Sequence, residues 1–291
     1  MEHLETKILV VVNPISGDIN KEPVIQKIKG AVSKKTDLKF YKTTGREDYK
    51  TLKELQADVQ PDRILVVGGD GTVKLIAECF KNNNPTIGII PCGSSNGLAT
   101  DLAIPSNVDE AIQIALGNTF QNVDSLCINN SLGLHISDLG INAELIEHYS
   151  NSTVRGHFGY ALNSIPTLLN TNAPYKFHIK TEENELSTTG IMLAFANSNK
   201  FGTGAIVNPT GKIDDGKFEI LVFKKLDVAN IIKILLGEVQ LDPNFVEVIQ
   251  TTGATVTTDK PVPFQVDGEP YGSIQSVEVA IQPNTLKIAV G

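Results

Sequence analysis

The apolar run Ile64-Leu65-Val66-Val67 leads directly into Gly68-Gly69-Asp70-Gly71-Thr72, and residues 73–80 then place their apolar side chains at helical spacing. A strand that ends in a glycine turn and opens a helix belongs to folds that pack helices on a mostly parallel sheet. Glycines here admit positive φ and let a ligand approach the backbone, while the first amides of the helix and its dipole favour an anion. Asp70 would set a carboxylate where a phosphate-bound Mg²⁺ needs oxygen, and Thr72 would add a hydroxyl. Gly68, Gly69, Asp70, Gly71 and Thr72 therefore form a candidate phosphate site, with ordinary strand-to-helix punctuation as the plain alternative.

The same alternation fills the first part of the chain. Residues 8–12, 38–41, 64–67 and 87–90 read as strands with amphipathic segments between them, which predicts an α/β N-terminal domain with a mainly parallel sheet over 1–124. From 125 to 291 the texture changes to period-2 segments at 132–136, 176–180, 190–196, 218–223, 254–258, 276–281 and 286–290. Turn signals at Asp214-Asp215-Gly216, Asp267-Gly268 and Gln282-Pro283-Asn284 separate them, predicting a mainly antiparallel β-sandwich C-terminal domain. The last strand is free to return to the first domain. Helices are expected at 142–150, 159–169 and 228–236. With 291 residues, two cores are the default.

Composition removes several functions. A formal charge of −8 with no Lys/Arg run leaves no basic face, so nucleic acid is not an expected partner. Cys79, Cys92 and Cys127 are too few and too dispersed for a disulfide framework or a zinc motif, which fits a reducing cytoplasm. No basic and apolar leader opens the sequence, and no apolar stretch approaches the ~20 residues of a bilayer span, so membrane contact is expected to be peripheral.

Other strand exits carry polar residues as well. The first ends in Asn13-Pro14-Ile15-Ser16-Gly17, whose side chains and amides could contact a nucleotide, although Asn-Pro and Ser-Gly are common turn formers. The second exits at Thr43-Thr44-Gly45, where capping of the next helix is the simpler role. The fourth ends in Pro91-Cys92-Gly93-Ser94-Ser95-Asn96-Gly97, a second glycine turn rich in donors. Two such loops on one sheet point to a shared crevice at the strands' carboxyl ends, with Asp70 and Asp124 as carboxylates for a metal on the phosphates.

In order and spacing, Asn13-Pro14-x-Ser16-Gly17, Gly68-Gly69-Asp70-Gly71-Thr72 and Pro91-x-Gly93-Ser94-x-Asn96-x-Leu98-Ala99 resemble the diacylglycerol kinase-like catalytic domain family. That family holds bacterial diacylglycerol and related lipid kinases and sphingosine kinases, within a wider NAD kinase-like superfamily. The resemblance runs from end to end, since Asn208-Pro209, Asp214-Asp215-Gly216-Lys217-Phe218 and Gln265-Val266-Asp267-Gly268-Glu269 look like its later motifs.

The resemblance implies ATP- and Mg²⁺-dependent phosphorylation of a lipid hydroxyl in a two-domain cleft. ATP would lie against Asn13, Pro14, Ser16, Gly17, Thr43, the Gly68 to Thr72 loop, Ser94 and Asn96. Mg²⁺ would be held by Asp70, Asp124 and Glu269, and Asp267 would be the general base, although Asp-Gly alone reads as a hairpin turn. A second Mg²⁺ site would use the Asp215 side chain and the carbonyls of Lys212 and Lys217, with a plain hairpin as its equal alternative. The partners implied are a lipid substrate and a peripheral membrane surface, with a homodimer left open.

The sequence departs from the family pattern in three places. Lys74-Leu75 replace the usual Asn-Glu, Ser94 replaces a common threonine, and Gly97 stands where diacylglycerol kinases often carry aspartate. These leave the lipid open among diacylglycerol, a related lipid and a sphingoid base. The alternatives are a kinase of another alcohol or of NAD, and a nucleotide- or lipid-binding protein without catalysis. Retention of Asp70, Asp124, Asp267 and Glu269 together argues against the last.

Overall fold

The structure is a computed structural model that describes residues 6–81, 83–150, 173–201, 205–225 and 242–291. The chain divides into two compact units, Met1–Val123 with Asn284–Gly291, and Asp124–Pro283.

In the first unit the β-branched runs β1 (Lys7–Val12), β3 (Arg63–Gly68) and β4 (Thr86–Pro91), and the strand β2 (Asp37–Lys42) with its Leu38, Phe40 and Tyr41, alternate with α1 (Glu22–Ala31), α2 (Asp48–Val59), α3 (Asp70–Phe80), α4 (Gly97–Asp101) and α5 (Val108–Leu116). All four strands pair in parallel in the order β2-β1-β3-β4. Residues 9–12 and 64–67 are almost wholly buried, as a sheet covered on both faces requires. Register aligns the carboxyl ends: Val12 lies opposite Lys42 and Val67, and Gly68 opposite Pro91. The loops that leave these ends therefore emerge along one edge. At the opposite edge Arg63 fastens α5 to the sheet, its guanidinium donating to the carbonyls of Ala115 and Gly117 at the helix C-terminus.

The second unit begins within β5 (Phe120–Ile128) and continues through β6 (Ser131–Gly133), β7 (Ile136–Gly140), α6 (Ile141–Ser150), β8 (Tyr175–Thr181), β9 (Glu185–Gly190) and β10 (Met192–Ala196). After the short pair β11 (Lys200–Phe201) and β12 (Ala205–Ile206) come β13 (Phe218–Phe223), β14 (Val246–Thr251), β15 (Gly253–Val266) and β16 (Glu269–Ala289). Its ladder runs β14-β13-β10-β7-β15-β16 and is antiparallel throughout, with β8 added beside β15 and β9 beside β8. Phe177, Phe195, Phe218, Phe264 and the aliphatic residues between them form its main core. The mixed architecture, parallel then antiparallel, is the one the sequence predicts.

Three local expectations are corrected. The predicted strand 132–136 divides into β6 and β7, because the carboxylate of Asp267 takes the amides of Leu134 and His135 that a ladder would have used. Residues 276–281 and 286–290 fall in one strand, β16, and Gln282-Pro283-Asn284 is no hairpin: Asn284 turns left-handed (φ 52°) while pairing resumes beyond it. The end of β16 then pairs in parallel with β4, Lys287 opposite Thr86, so the last part of this strand, from Asn284, belongs to the first unit. Thr44 does not cap α2; the Asp48 carboxylate instead accepts from the amides of Thr44 and Gly45 and from the Tyr41 hydroxyl. Of the predicted helices, 142–150 appears as α6, and 159–169 and 228–236 lie outside the described residues.

Candidate active site

Three loops meet at the carboxyl edge of the parallel sheet. Asn13 continues β1, its amide donating to Val67 O (2.9 Å), and its side-chain amide donates to Thr72 Oγ1 (3.2 Å). Ser16 Oγ donates back to Asn13 O (3.2 Å), and Cys92 N donates to Gly68 O (2.8 Å). The Asn96 side chain closes its own loop by accepting from Gly93 N (2.8 Å) and donating to Gly93 O (2.9 Å). Glycine is required where the loops touch. A Cβ on Gly93 would stand 2.5 Å from Gly69 Cα, and one on Gly17, at φ +60°, would stand 2.5 Å from Cys92 O.

Asp70 joins two of these loops. Its carboxylate accepts from the amides of Gly97 (2.8 Å) and Leu98 (3.1 Å), so it caps α4 from a neighbouring loop. By contrast, α3 has no side-chain cap at its N-cap Gly69; Thr72 N already donates to Gly69 O (2.9 Å), which leaves the amides of Asp70 and Gly71 as the first-turn donors without an intrahelical acceptor. Gly71 and Ser94 are exposed, whereas Thr72 is buried, so its hydroxyl serves Asn13 rather than solvent. Thr43 follows β2 at the same edge, its amide donating to Val12 O (2.9 Å). Pro14 is exposed in the β1 loop.

The remaining predicted residues lie in the second unit. Asp124 is buried on β5, where its amide donates to Ile213 O (2.8 Å) and its Oδ2 accepts from Gly216 N (2.7 Å). Asp124 thereby meets the Asp214-Asp215-Gly216 turn, where the exposed Asp215 accepts from Lys217 N (3.1 Å) and Lys212 is also exposed. Asp267 and Gly268 form a two-residue hairpin turn between β15 and β16, both left-handed (φ 51° and 86°), with Val266 opposite Glu269. The Asp267 carboxylate accepts from the amides of Leu134 and His135, while Glu269 is exposed at the start of β16. Within each unit, no group of three His, Cys, Asp or Glu side chains is gathered around a metal-sized position among the described residues.

Reading by motif passes over the polar groups beneath this hairpin. Asp138 on β7 is wholly buried, and its Oδ2 accepts from the side-chain amides of Gln265 and Asn142 (2.6 Å for Asn142). Burial drives its carboxyl up to about 6, beyond what those hydrogen bonds and the Ala143 backbone amide offset. Asn197, also buried, donates to Asp124 O (2.8 Å) and Leu134 O (3.2 Å), linking the strand that carries Asp124 to the segment that receives Asp267. A polar residue at a core position of a period-2 strand was the available signal, but spacing does not name its partner.

Residues 7–128 match the family model of the diacylglycerol kinase catalytic domain, and residues 136–290 match that of the YegS C-terminal NAD kinase beta sandwich-like domain. The chain belongs to the diacylglycerol kinase-like lipid kinase family. Among similar proteins, a "Probable lipid kinase YegS-like" of Chromohalobacter salexigens is 28% identical over 240 residues, 78% of this chain and 75% of that one. A "Probable lipid kinase YegS" of Shigella dysenteriae is 23% identical over 235 residues, 77% and 76% of the two chains. A crystal structure titled as a putative diacylglycerol kinase from Bacillus anthracis superposes with a TM-score of 0.81 at 21% identity, covering 98% of this chain and 97% of that one, and so shares its fold.

In this kinase the catalytic-domain match takes in the three loops and Asp124, while the sandwich match takes in both Asp-Gly turns and runs on through the strand that re-enters the first unit. Among the described residues no helix is long and apolar enough to cross a membrane.

Proposed function

We propose that the protein transfers the γ-phosphoryl group of ATP to the hydroxyl of a lipid, diacylglycerol, a related lipid or a sphingoid base, with Mg²⁺. The observation that carries this reading is the uncapped N-terminus of α3, set among three loops held at backbone contact. Its donors suit a phosphate chain, and glycine keeps side chains off the position. The donor set is hard oxygen throughout, which fits Mg²⁺: Asp70, Asp124 and Glu269 would hold it, and the Asp215 turn would hold a second ion. When bound, Mg²⁺ neutralises charge developing on the transferred group.

The chain's own residues do the rest. Amides of the loops orient the phosphates, Asn13 and Asn96 keep the loops closed, and the exposed Ser94 hydroxyl donates to the nucleotide. Asp267 accepts the proton of the acceptor hydroxyl, without which a neutral alcohol is a poor nucleophile. The hairpin and the base are one feature: the turn presents the carboxylate and two backbone amides keep it aimed. The protein works in the cytoplasm and meets its substrate at a membrane surface.

A screen with γ-labelled ATP across diacylglycerol, sphingosine, monoacylglycerol, undecaprenol and NAD, with Mg²⁺ and with chelator, tests the reading. Label is expected in one lipid and in none when the metal is removed. Efficient labelling of NAD or another water-soluble alcohol with every lipid refused would overturn it.

A further inference from the structure

We propose that Asp138 is a positioning residue for Asp267: through the Gln265 amide it sets the hairpin turn that presents the Asp267 carboxylate. The inference rests on the reading of Asp267 as the proton acceptor. Every link is a hydrogen bond within the second unit. Gln265 Nε2 donates to Asp138 Oδ2, and Gly268 N donates to Gln265 Oε1 (2.6 Å). Asp267, the other turn residue, is held by the amides of Leu134 and His135, which lead directly into the strand that carries Asp138. The turn is thus tied to β7 at both ends.

Polarity explains why a carboxylate occupies this position. Asp138 lies opposite Gln265 in the β7–β15 register, and Gln265 is itself almost wholly buried. A glutamine amide can sit either way round, but only with its NH₂ toward Asp138 does its oxygen face the Gly268 amide. An ionised carboxylate accepts and cannot donate, so it enforces that orientation; reversed, Gln265 would face oxygen to oxygen and N–H to N–H. The cost of the arrangement is visible in Asp138 Oδ1, which has no hydrogen-bond partner among the described residues. The β7 backbone is already paired with β10 and β15, so the ladder does not require this side chain. Its consequence lies two bonds away, at the Asp267-Gly268 turn.

The test uses the full chain with ¹⁵N-labelled glycine, reading Gly268 amide exchange, together with kcat and KM for ATP on the panel lipid that the wild type phosphorylates fastest. Asp138→Asn keeps an acceptor oxygen and should leave exchange and kcat near wild type. Asp138→Leu removes it and should speed Gly268 exchange about tenfold, the loss of one hydrogen bond. That variant should also lower kcat about 10- to 100-fold, the scale of a misplaced reacting group, with KM for ATP moved less than about twofold.

Gln265→Glu, which sets two carboxylates together, should behave alike and covers the case in which Asp138→Leu does not fold. The double variant Asp138→Asn/Gln265→Glu reverses the polarity of one bond while keeping the acceptor for Gly268, and should recover both readouts. Unchanged Gly268 exchange in Asp138→Leu and Gln265→Glu, or quickened exchange with wild-type kcat in the folded variants, overturns the proposal. If the wild type phosphorylates no lipid of the panel, the kinase reading falls. Gly268 exchange then still decides whether Asp138 sets the turn.

Discussion

Burial without a full set of donors holds the Asp138 carboxyl at about 6, against 3.8 for a solvated aspartate. A raised native value means that folding favours the protonated form. The resulting stability is fully present below the unfolded value and is lost as pH rises through 6, after which ionised Asp138 costs the fold about 3 kcal/mol. Asp138→Asn has no such titration, so its stability relative to wild type should rise by that order between pH 4 and pH 8. Urea unfolding at both pH values measures it, and an equal difference at the two would place the Asp138 pKa in the ordinary range. Asp267 and Glu269 should separate kinetically. Asp267→Asn keeps the size of the side chain but loses proton acceptance, so kcat should fall about 10²- to 10⁴-fold with ATP affinity little changed. Glu269→Gln should instead recover in part at raised Mg²⁺. Steady-state kinetics of both across Mg²⁺ concentration decide, and near-normal kcat in Asp267→Asn would move the base role to Glu269.

At the scale of elements, function depends on how closely the loops after β3 and β4 approach. Gly93→Ala would place a Cβ 2.5 Å from Gly69 Cα, backbone against backbone, so neither loop can yield by moving a side chain. The loops must part, and with them the α3 N-terminus and the Asp70 cap on α4. We expect kcat/KM for ATP to fall about 100-fold, the scale on which an ångström of misplacement acts. Stability should fall by about 1–3 kcal/mol, as in overpacked cores. ATP titration and urea melts of the variant report both. Wild-type ATP kinetics would show that the close approach has no part in nucleotide binding.

For the whole molecule, the proposed phosphorylation of a lipid hydroxyl predicts a surface-dependent enzyme. Activity on a long-chain diacylglycerol should rise with the lipid's surface concentration in mixed micelles or vesicles at fixed bulk concentration. Rates that follow bulk concentration alone would mean that the acceptor is taken from solution.

Periodicity and turn chemistry alone determined the parallel α/β unit, the antiparallel second unit and the three loops, because each is written in residues adjacent in the chain. The 64–72 segment needs only its own apolar run and glycines to be legible. Tertiary structure decided what each polar group meets. Asp70, legible as a carboxylate in a phosphate loop, also caps a helix whose first residue is 27 positions away. Gln282-Pro283-Asn284 carries a local turn signal that strand pairing on both sides overrides. Asp138 and Gln265 stand 127 positions apart and become partners only through the β7–β15 register. A hydrogen bond is a property of two groups, and no spacing along the chain names the second when the fold alone brings it near.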